Sequence, residues 1–589
     1  MSLPLAPWSP CEDDRRGRED CKPRLKDKGP MSHRKLGRVT VERPALEFVG
    51  GRRWVAGYAS IVLAVVACGN SSAPSDGNPG SQGTASSGSS GGGNAGSSGS
   101  GSGSGGSAGS SGGGSQSSGS GGSSGGLADS GATPPVSCGD GGTAPMVGGS
   151  SSGSSTDTGA SCPVSASGVR VNEIDVGVAY SYVEADTPLS LLAISPIPSG
   201  GSRLAFMGSD NNVHIALLDR DDNLVAGSLF ALPAHDFQDI YADDAGGAVL
   251  VTRDATGGGT NNCGNPSNLC SLTTPTDYSC WDMYLARFDA CGHERWATKL
   301  TTSSASLPPY STGPQGLTSY MIWWYAHNGR IAFDGTNFGA YYGVAITVKN
   351  LNGMSCMDIH QGDEMRLVNA STGALAGGGF DLGCSHSAFE RLAWDGSKFV
   401  PVCDNDAPTS GKSGKIAFAP NRTTIYPVDQ LNTELGSVLP AGGGAYWIVA
   451  TDLRSGQTAG NPGLDDVHLL HVTTGAPDKD IVLASNSGLN DRNPHLSAFG
   501  KNRMLAAWET SSTQAPQGGH LAQNDASRKL YVEALDSTSA AAQGAPYNIA
   551  SVVGSRYQDF RTYPDGSVAY AAPGSASTKI KIVRVSPCK

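Results

Sequence analysis

The densest run of chemically capable side chains is Cys356-Met357-Asp358-Ile359-His360-Gln361-Gly362-Asp363-Glu364. Carboxylates and imidazoles this close together can exchange a proton or ligate a cation. Cys384-Ser385-His386 follows it, and Met321-Ile322-Trp323-Trp324-Tyr325-Ala326-His327 precedes it. Neighbouring residues of a strand point to opposite faces, so one of Trp323 and Trp324 faces solvent or a cavity. The candidate ligand-binding set is therefore Trp323, Trp324, His327, Asp358, His360, Asp363, Glu364 and His386. The plain alternative is that the acids cap turns and the histidines are hydrogen-bonded structural groups.

Other chemical motifs fail on inspection. Gly411-Lys412-Ser413-Gly414-Lys415 has part of a phosphate loop, but Asp406 stands where the pattern needs glycine, and no helix is expected to follow. Asp219-Arg220-Asp221-Asp222-Asn223 has the acids of a calcium loop without its glycine and distal glutamate, and reads as a β-turn. There is no G-x-S-x-G, H-E-x-x-H or Cys/His nucleophile pattern. No catalytic residue and no metal ligand set are assigned. No cofactor is called for, with a structural calcium ion as the one alternative.

The elements that must position these residues are short and alternating from residue 186 onward, which is all-β punctuation. A phrase of strand, tight turn and strand recurs. It stands as FDGTNFGAYYGVAI at 333–346, AWDGSKFVPVC at 393–403 and YPDGSVAYAA at 563–572. Looser copies lie at 198–208, 242–251, 440–451 and 499–509. Asp-Gly at the turn suggests type I′ hairpins, which need positive φ. A second strand–turn–strand phrase follows each of the first six copies, as in NVHIALLDRDDNLV at 212–225 and DVHLLHVTTGAPDKDIVL at 466–483. After the seventh comes only KIKIVRVSP at 579–587. Seven paired phrases predict seven four-stranded units, the pattern of a β-propeller; six or eight blades, or an array of two-sheet sandwiches, are the alternatives. The widest gap between turns holds an insertion near 255–280 and a Ser/Pro-rich loop near 302–319. The last unit lacks a fourth strand, and a lone edge there would invite aggregation. Residues 169–176, VRVNEIDV, belong to no hairpin and can supply it, which resembles the ring closure of known propellers.

Upstream the chain changes character. Residues 69–161 are dominated by Gly and Ser, too poor in apolar side chains to offset the entropy of ordering. As a flexible coil this tether spans about 50–60 Å. Before it, residues 55–67 form an apolar run that is too short for the ~20 residues of a membrane span and fits the core of a secretion signal behind Arg52 and Arg53. The run ends in Val65-Val66-Ala67-Cys68. This resembles the lipobox of bacterial lipoproteins. The resemblance implies a signal region over 1–67 and lipid on Cys68 as the mature N-terminus; the composition then divides the rest into a tether over 68–161 and a folded domain over 162–589. It also implies a cell-envelope location, at the outer membrane or cell surface, with the membrane itself as a partner. Residues 1–50 are longer and more charged than a usual signal, which suggests a true start nearer Met31 or Val49.

After Cys68 there are 44 acidic against 28 basic residues. That surface argues against nucleic acid, which requires clustered Lys and Arg. Ten cysteines lie beyond Cys68, an even number that in an exported chain reads as disulfides. Cys263, Cys270, Cys280 and Cys291 are too widely spaced for the close pairs usual at zinc and read as two disulfides pinning the insertion. Cys356 and Cys384 are further candidates. Cys162 and Cys588 flank the place where the last unit's missing turn would be and are expected to bond there; Cys138–Cys162 is the competing pair. The expected function is a monomeric binding module for a glycan or envelope protein. A propeller hydrolase using channel carboxylates or a metal, and a purely structural envelope protein, are the alternatives.

Overall fold

The computed structural model describes residues 163–183, 191–254, 261–262, 279–301, 318–322, 329–349, 357–384, 388–405, 414–428, 433–454, 464–513, 521 and 525–588. The domain is a seven-bladed β-propeller. Blade 1 is built from Leu192–Pro196, Ser202–Met207, Asn212–Leu218 and Phe230–Pro233. Blade 2 runs Asp236–Asp243, Gly246–Asp254, Ser279–Asp289 and Glu294–Lys299, and blade 3 runs Gly329–Phe333, Asn337–Lys349, Met357–Asn369 and Leu375–Phe380. Blade 4 is Ala388–Trp394, Phe399–Asn405, Gly414–Phe418 and Thr423–Val428; blade 5 is Leu435–Gly442, Ala445–Leu453, Asp465–Val472 and Pro477–Ala484. Blade 6 is Asn490–Ala498, Arg503–Ser511, Lys529–Asp536 and Tyr547–Ile549. Within each blade neighbouring strands pair antiparallel, and the first strand of each blade lies beside the first strand of the next. Blade 7 closes the circle against blade 1.

Blade 7 takes Arg561–Thr562, Val568–Pro573 and Lys579–Val585 from the end of the chain and its outer strand, Val169–Asp175, from the beginning. The register runs from Val169 opposite Val585 to Asp175 opposite Lys579. The expected closing strand is therefore present. It is fastened sideways as well. Asp222, fully buried in the turn of blade 1, accepts from the guanidinium of Arg584 and from Arg170 of the closing strand. The Asp-rich 219–223 segment is thus spent on a turn and a blade-to-blade ion pair, with Asp219 accepting the backbone N–H groups of Asp221 and Asn223.

Two expectations need correction. First, the Asp-Gly hairpins are not type I′, which requires two consecutive positive φ values. Only the glycine is left-handed: Gly335 at +96°, Gly396 at +94° and Gly566 at +79°. The preceding aspartate turns its carboxylate onto the backbone instead. Asp334 Oδ1 accepts from Thr336 N and Asn337 N, Asp395 Oδ1 from Ser397 N and Lys398 N, and Asp565 Oδ1 from Ser567 N. This self-bonding is what makes Asp a turn former without demanding positive φ. Second, the strand read around Met321 starts at Thr318, two residues inside the stretch expected to be loop, and it joins two blades. Thr318–Ile322 pairs with both Ser279–Asp289 and Asn337–Lys349, fusing blades 2 and 3 into a ten-stranded sheet.

The second strands are buried on both faces, as in Arg503–Ser511 and Ser202–Met207. They are sandwiched between adjacent blades, so neither face may be polar without a partner. The outer strands are wet; five of the six residues of Leu375–Phe380 are exposed. Burial thus rises inward toward the axis, where the strand starts are charged rather than apolar.

Candidate functional site

The axis is occupied by the chain itself. The connection from blade 6 to blade 7, residues 554–560, runs through the middle of the ring. It bonds to blades 3 to 6, and only the axis is within reach of all of them. Arg330 of blade 3 donates to Tyr557 O, and Arg391 of blade 4 donates to Arg556 O at 2.9 Å and to Gly436 O of blade 5. Arg556 in turn reaches Glu434 Oε1, just before blade 5, at 3.2 Å, and Gly554 N donates to Glu509 Oε1 of blade 6 at 2.6 Å. The buried backbone of this plug is paired by side chains, as a buried chain without ladder partners must be. Its aromatic groups stack inward: Tyr557 on Phe389 at 5.4 Å, and Phe560 between His495 at 4.2 Å and Tyr570 at 4.1 Å.

Three guanidiniums meet on one carboxylate of the plug. Arg330 Nε lies 2.9 Å from Asp559 Oδ2, Arg561 Nη2 at 3.5 Å, and Arg391 Nε is 4.0 Å from Oδ1. The three arginines arise from one repeated phrase: Arg330-Ile331-Ala332-Phe333-Asp334-Gly335, Arg391-Leu392-Ala393-Trp394-Asp395-Gly396 and Arg561-Thr562-Tyr563-Pro564-Asp565-Gly566. Each stands five residues before its turn glycine, so the ring geometry brings all three to one depth. Sequence reading missed them, although this R-x-x-x-D-G repeat was the available signal. Burial pushes the Asp559 carboxyl up, but the three cations overcome it and hold it well below the usual carboxylate range. Burial, with Arg330 adding to it, pushes Arg391 down to about 9. Arg561 also holds Asp239 of blade 2 through Nη2 at 2.6 and 2.8 Å.

This layer is the floor of a cup. A cavity of about 510 Å³ opens at the end of the channel toward which the inner strands run. Its wall is Pro196, Ile197, Pro198, Leu392, Val438, Leu439 and Pro564, and Arg391, Asp559 and Arg561 lie at its base. The wall hydroxyls are committed to holding blades together. Ser195 Oγ accepts Ala242 N at 2.9 Å, Ser437 Oγ accepts Leu496 N at 3.2 Å, and Thr562 Oγ1 donates to Ala498 O at 2.7 Å. The cup is lined by one carboxylate, Asp559, and by no histidine or cysteine among the described residues.

The residues singled out from sequence lie elsewhere. Asp363 and Glu364 are adjacent in the third strand of blade 3, so they point to opposite faces, and both are fully buried. Asp363 accepts from Tyr341 OH and from Gly383 N and Cys384 N at 2.6 and 2.7 Å. Burial pushes its carboxyl up to about 7, against the pull of those hydrogen bonds. Glu364 accepts from Tyr342 OH at 3.1 Å and from Arg366, which also binds Asp381 at 2.6 Å. Asp358 and His360 lie in the same strand, opposite Val348 and Ile346, with side chains outside the described set. Trp323, Trp324, His327 and His386 lie outside the described residues.

Cys384 is disulfide-bonded to Cys403, with Cα atoms 6.5 Å apart; Cys403 was not among the candidates, because the approach of the connection after blade 3 to the second strand of blade 4 is invisible in spacing. Asp363 lies within ligand range of both sulfurs, but a disulfide offers no thiolate to a metal. Cys291 and Cys588 are also disulfide-bonded. Cys162, Cys263, Cys270 and Cys356 lie outside the described residues, as does the side chain of Cys280.

No family model and no curated protein matches this chain. Among solved structures it is similar to a protein of unknown function from Dyadobacter fermentans, at 11% identity and a TM-score of 0.33, covering 71% of this chain and 99% of that one. It is also similar to a puromycin-hydrolysing peptidase of Mycobacterium tuberculosis, at 12% identity and a TM-score of 0.33, covering 67% and 53% of the two chains. The N-terminal domain of Nup159 matches at 9% identity and a TM-score of 0.31, covering 73% and 97%. Likenesses of this size assign no activity.

Proposed function

We propose that this chain is a lipid-anchored envelope protein whose propeller binds a glycan in the cup at the open end of its channel. One observation carries the binding part: the plug turns a through-channel into a blind cup with a charged floor and a largely apolar wall, the general form of a small-ligand site. Extended protein segments are usually taken by sheet edges or grooves, whereas a blind cup of this size takes the end of a chain or one to two sugar rings. Binding is favoured over hydrolysis because paired-carboxylate glycosidases need two groups of opposed protonation. Asp559 is the cup's one carboxylate among the described residues, and its arginines keep it ionised. A glycan array probed with the full-length chain and with Leu439→Trp, which fills the cup from its wall, tests this. Retained binding in the filled variant defeats it.

The anchoring part rests on Val65-Val66-Ala67-Cys68 and on the Gly/Ser tether behind it. Fatty-acid labelling of cells should mark the wild type and not Cys68→Ala; equal labelling refutes the anchor. We also propose that Cys162 bonds to Cys588. Cys588 Sγ lies 3.8 Å from the carbonyl of Pro163, the residue after Cys162. Peptide mapping without reductant should recover Cys162 linked to the C-terminal peptide; Cys162 linked to Cys138 instead overturns this.

A further inference from the structure

One titratable group on the axis is buried without a partner. His495, in the first strand of blade 6 opposite Ala507, is 1% exposed, and neither Nδ1 nor Nε2 has a hydrogen-bond partner among the described residues. Its ring lies against both ends of the plug. It stacks on Phe560 at 4.2 Å, and a methyl group placed on Gly554 would stand 3.5 Å from Nε2. The charges acting on it are Arg330 of blade 3, Arg391 of blade 4, Glu434 before blade 5 and Asp559 of the plug. Beyond them lie Arg492 of its own strand, Arg556 of the plug, and Glu509 and Arg528 of blade 6, which hold Gly554 N and O. Glu390, buried next to Arg391, acts on that arginine. Blade 7 contributes Tyr570, on the far side of Phe560. The carboxylates are already taken. Asp559 is held by Arg330 and Arg561, Glu434 by Arg492, Arg556 and Asn493 N, and Glu509 by Arg528, Asn493 Nδ2 and Gly554 N.

An imidazolium here has two N–H donors, no acceptor to receive them and two guanidiniums nearby. Attraction to the face of Phe560 is a weak return for that. Burial first, then Arg391 and Arg330, push the ring's pKa from 6.5 down to about 3, against the pull of Asp559 and Glu434. If the plug leaves, solvent reaches both nitrogens and the ring regains its ordinary basicity. We propose that His495 is an acid-operated latch: mild acid releases residues 554–560 from the axis and unblocks the channel behind the cup. The sign follows from linkage. The closed state excludes the proton and the open state takes it. The advantage of the closed state is therefore complete above the ordinary histidine value and declines as the pH falls below it. The opening equilibrium should rise about tenfold between pH 7.5 and 5.5, and about 30-fold by pH 5. Glu434, held below its ordinary value, titrates beneath this window.

The test is amide hydrogen exchange of the full-length chain between pH 7.5 and 5, corrected for the intrinsic pH dependence of exchange, which reads local opening segment by segment. Peptides covering 554–560 are compared with peptides covering the buried strand Ala445–Leu453. In the unaltered chain, protection of 554–560 should fall about tenfold per pH unit below about pH 6.5, the slope of one proton, while Ala445–Leu453 keeps its protection. His495→Phe retains a ring to stack on Phe560 and cannot be protonated, so it should abolish the fall. Three results overturn the latch. One is protection of 554–560 that stays level down to pH 5. Another is an equal fall in His495→Phe. The third is protection lost together in 554–560 and Ala445–Leu453, which means that acid opens the whole ring. The slope and the comparison of segments are read on the unaltered chain, so they decide the matter even if His495→Phe does not fold.

Discussion

The two ends of the central channel are built from the same inner strands and behave as opposites. Where the strands begin, charged side chains crowd the axis: Arg330, Glu390, Arg391 and Arg492 are all buried, with Glu434 just before the fifth. Of these, Arg330, Arg391 and Glu434 hold the 554–560 segment across that end. Where the strands finish, small hydroxyls and prolines take over, each hydroxyl stitches one blade to the next, and a cup stays open. Charge at one end fixes a backbone in place; its scarcity at the other leaves room for something that is not the protein. A channel becomes a site when one of its mouths is closed.

The largest effect that would break this contrast lies at the closed end. Glu434 Oε1 accepts from Arg492 and Arg556, both at 3.2 Å, and Oε2 accepts Asn493 N at 2.7 Å. Glu434→Gln removes the anion that two buried guanidiniums share, with Arg492 keeping Asp465 at 3.2 Å, so it should cost about 3 kcal/mol in denaturant unfolding. A loss under about 1 kcal/mol would mean that the plug is not held by charge.

The same group predicts a pH dependence. Burial raises the Glu434 carboxyl, but Arg492 and Arg556 outweigh it and leave it below its ordinary value. The folded state thus binds this proton less readily than the unfolded one. Its stabilisation is complete above the ordinary glutamate range and is lost as the pH falls through the lowered folded value. Stability of the wild type should fall more steeply below about pH 4.5 than that of Glu434→Gln; parallel curves would remove Glu434 from the account.

At the open end the effects should be small. Ser497 Oγ donates to Phe560 O at 2.5 Å, holding blade 6 to the end of the plug. Ser497→Ala should cost about 1 kcal/mol, as for one hydrogen bond. Leu439→Trp, on a partly exposed wall, should change stability by less than about 0.5 kcal/mol while blocking the cup. If it destabilises like Glu434→Gln, the cup is packed structure and not a vacancy kept for a ligand.

The contrast also explains what could be read in advance. Blade number and hairpin positions were legible because turn chemistry is local: Asp334, Asp395 and Asp565 bond to backbone two or three residues on. The closing strand was legible as a strand-like phrase left without a partner. The plug was not. Arg556, Asp559 and Glu434 look like surface charges in a sequence, and their burial is created by a ring assembled from residues hundreds of positions apart. Asp363 drew attention for its acidic neighbours, yet Tyr341 and the Gly383–Cys384 backbone consume it, and nothing local announces that. The pairing of Thr318–Ile322 was not legible, because its partners lie on two blades at once.

Blade 7 has a consequence in time. Its outer strand is among the first of the folded domain to be made and its third strand is the last, with Val169 waiting for Val585. The entropic toll of so distant a pairing grows only with the logarithm of the separation, but its delay does not shrink that way. Until residue 585 is available the circle has a gap, with Ile194 and Phe206 of blade 1 and Ala571 and Ile582 of blade 7 lacking the cover they give each other. Folding dominated by such non-local contacts is slow. The ring therefore matures in one late event, once residue 585 has been made and can reach Val169.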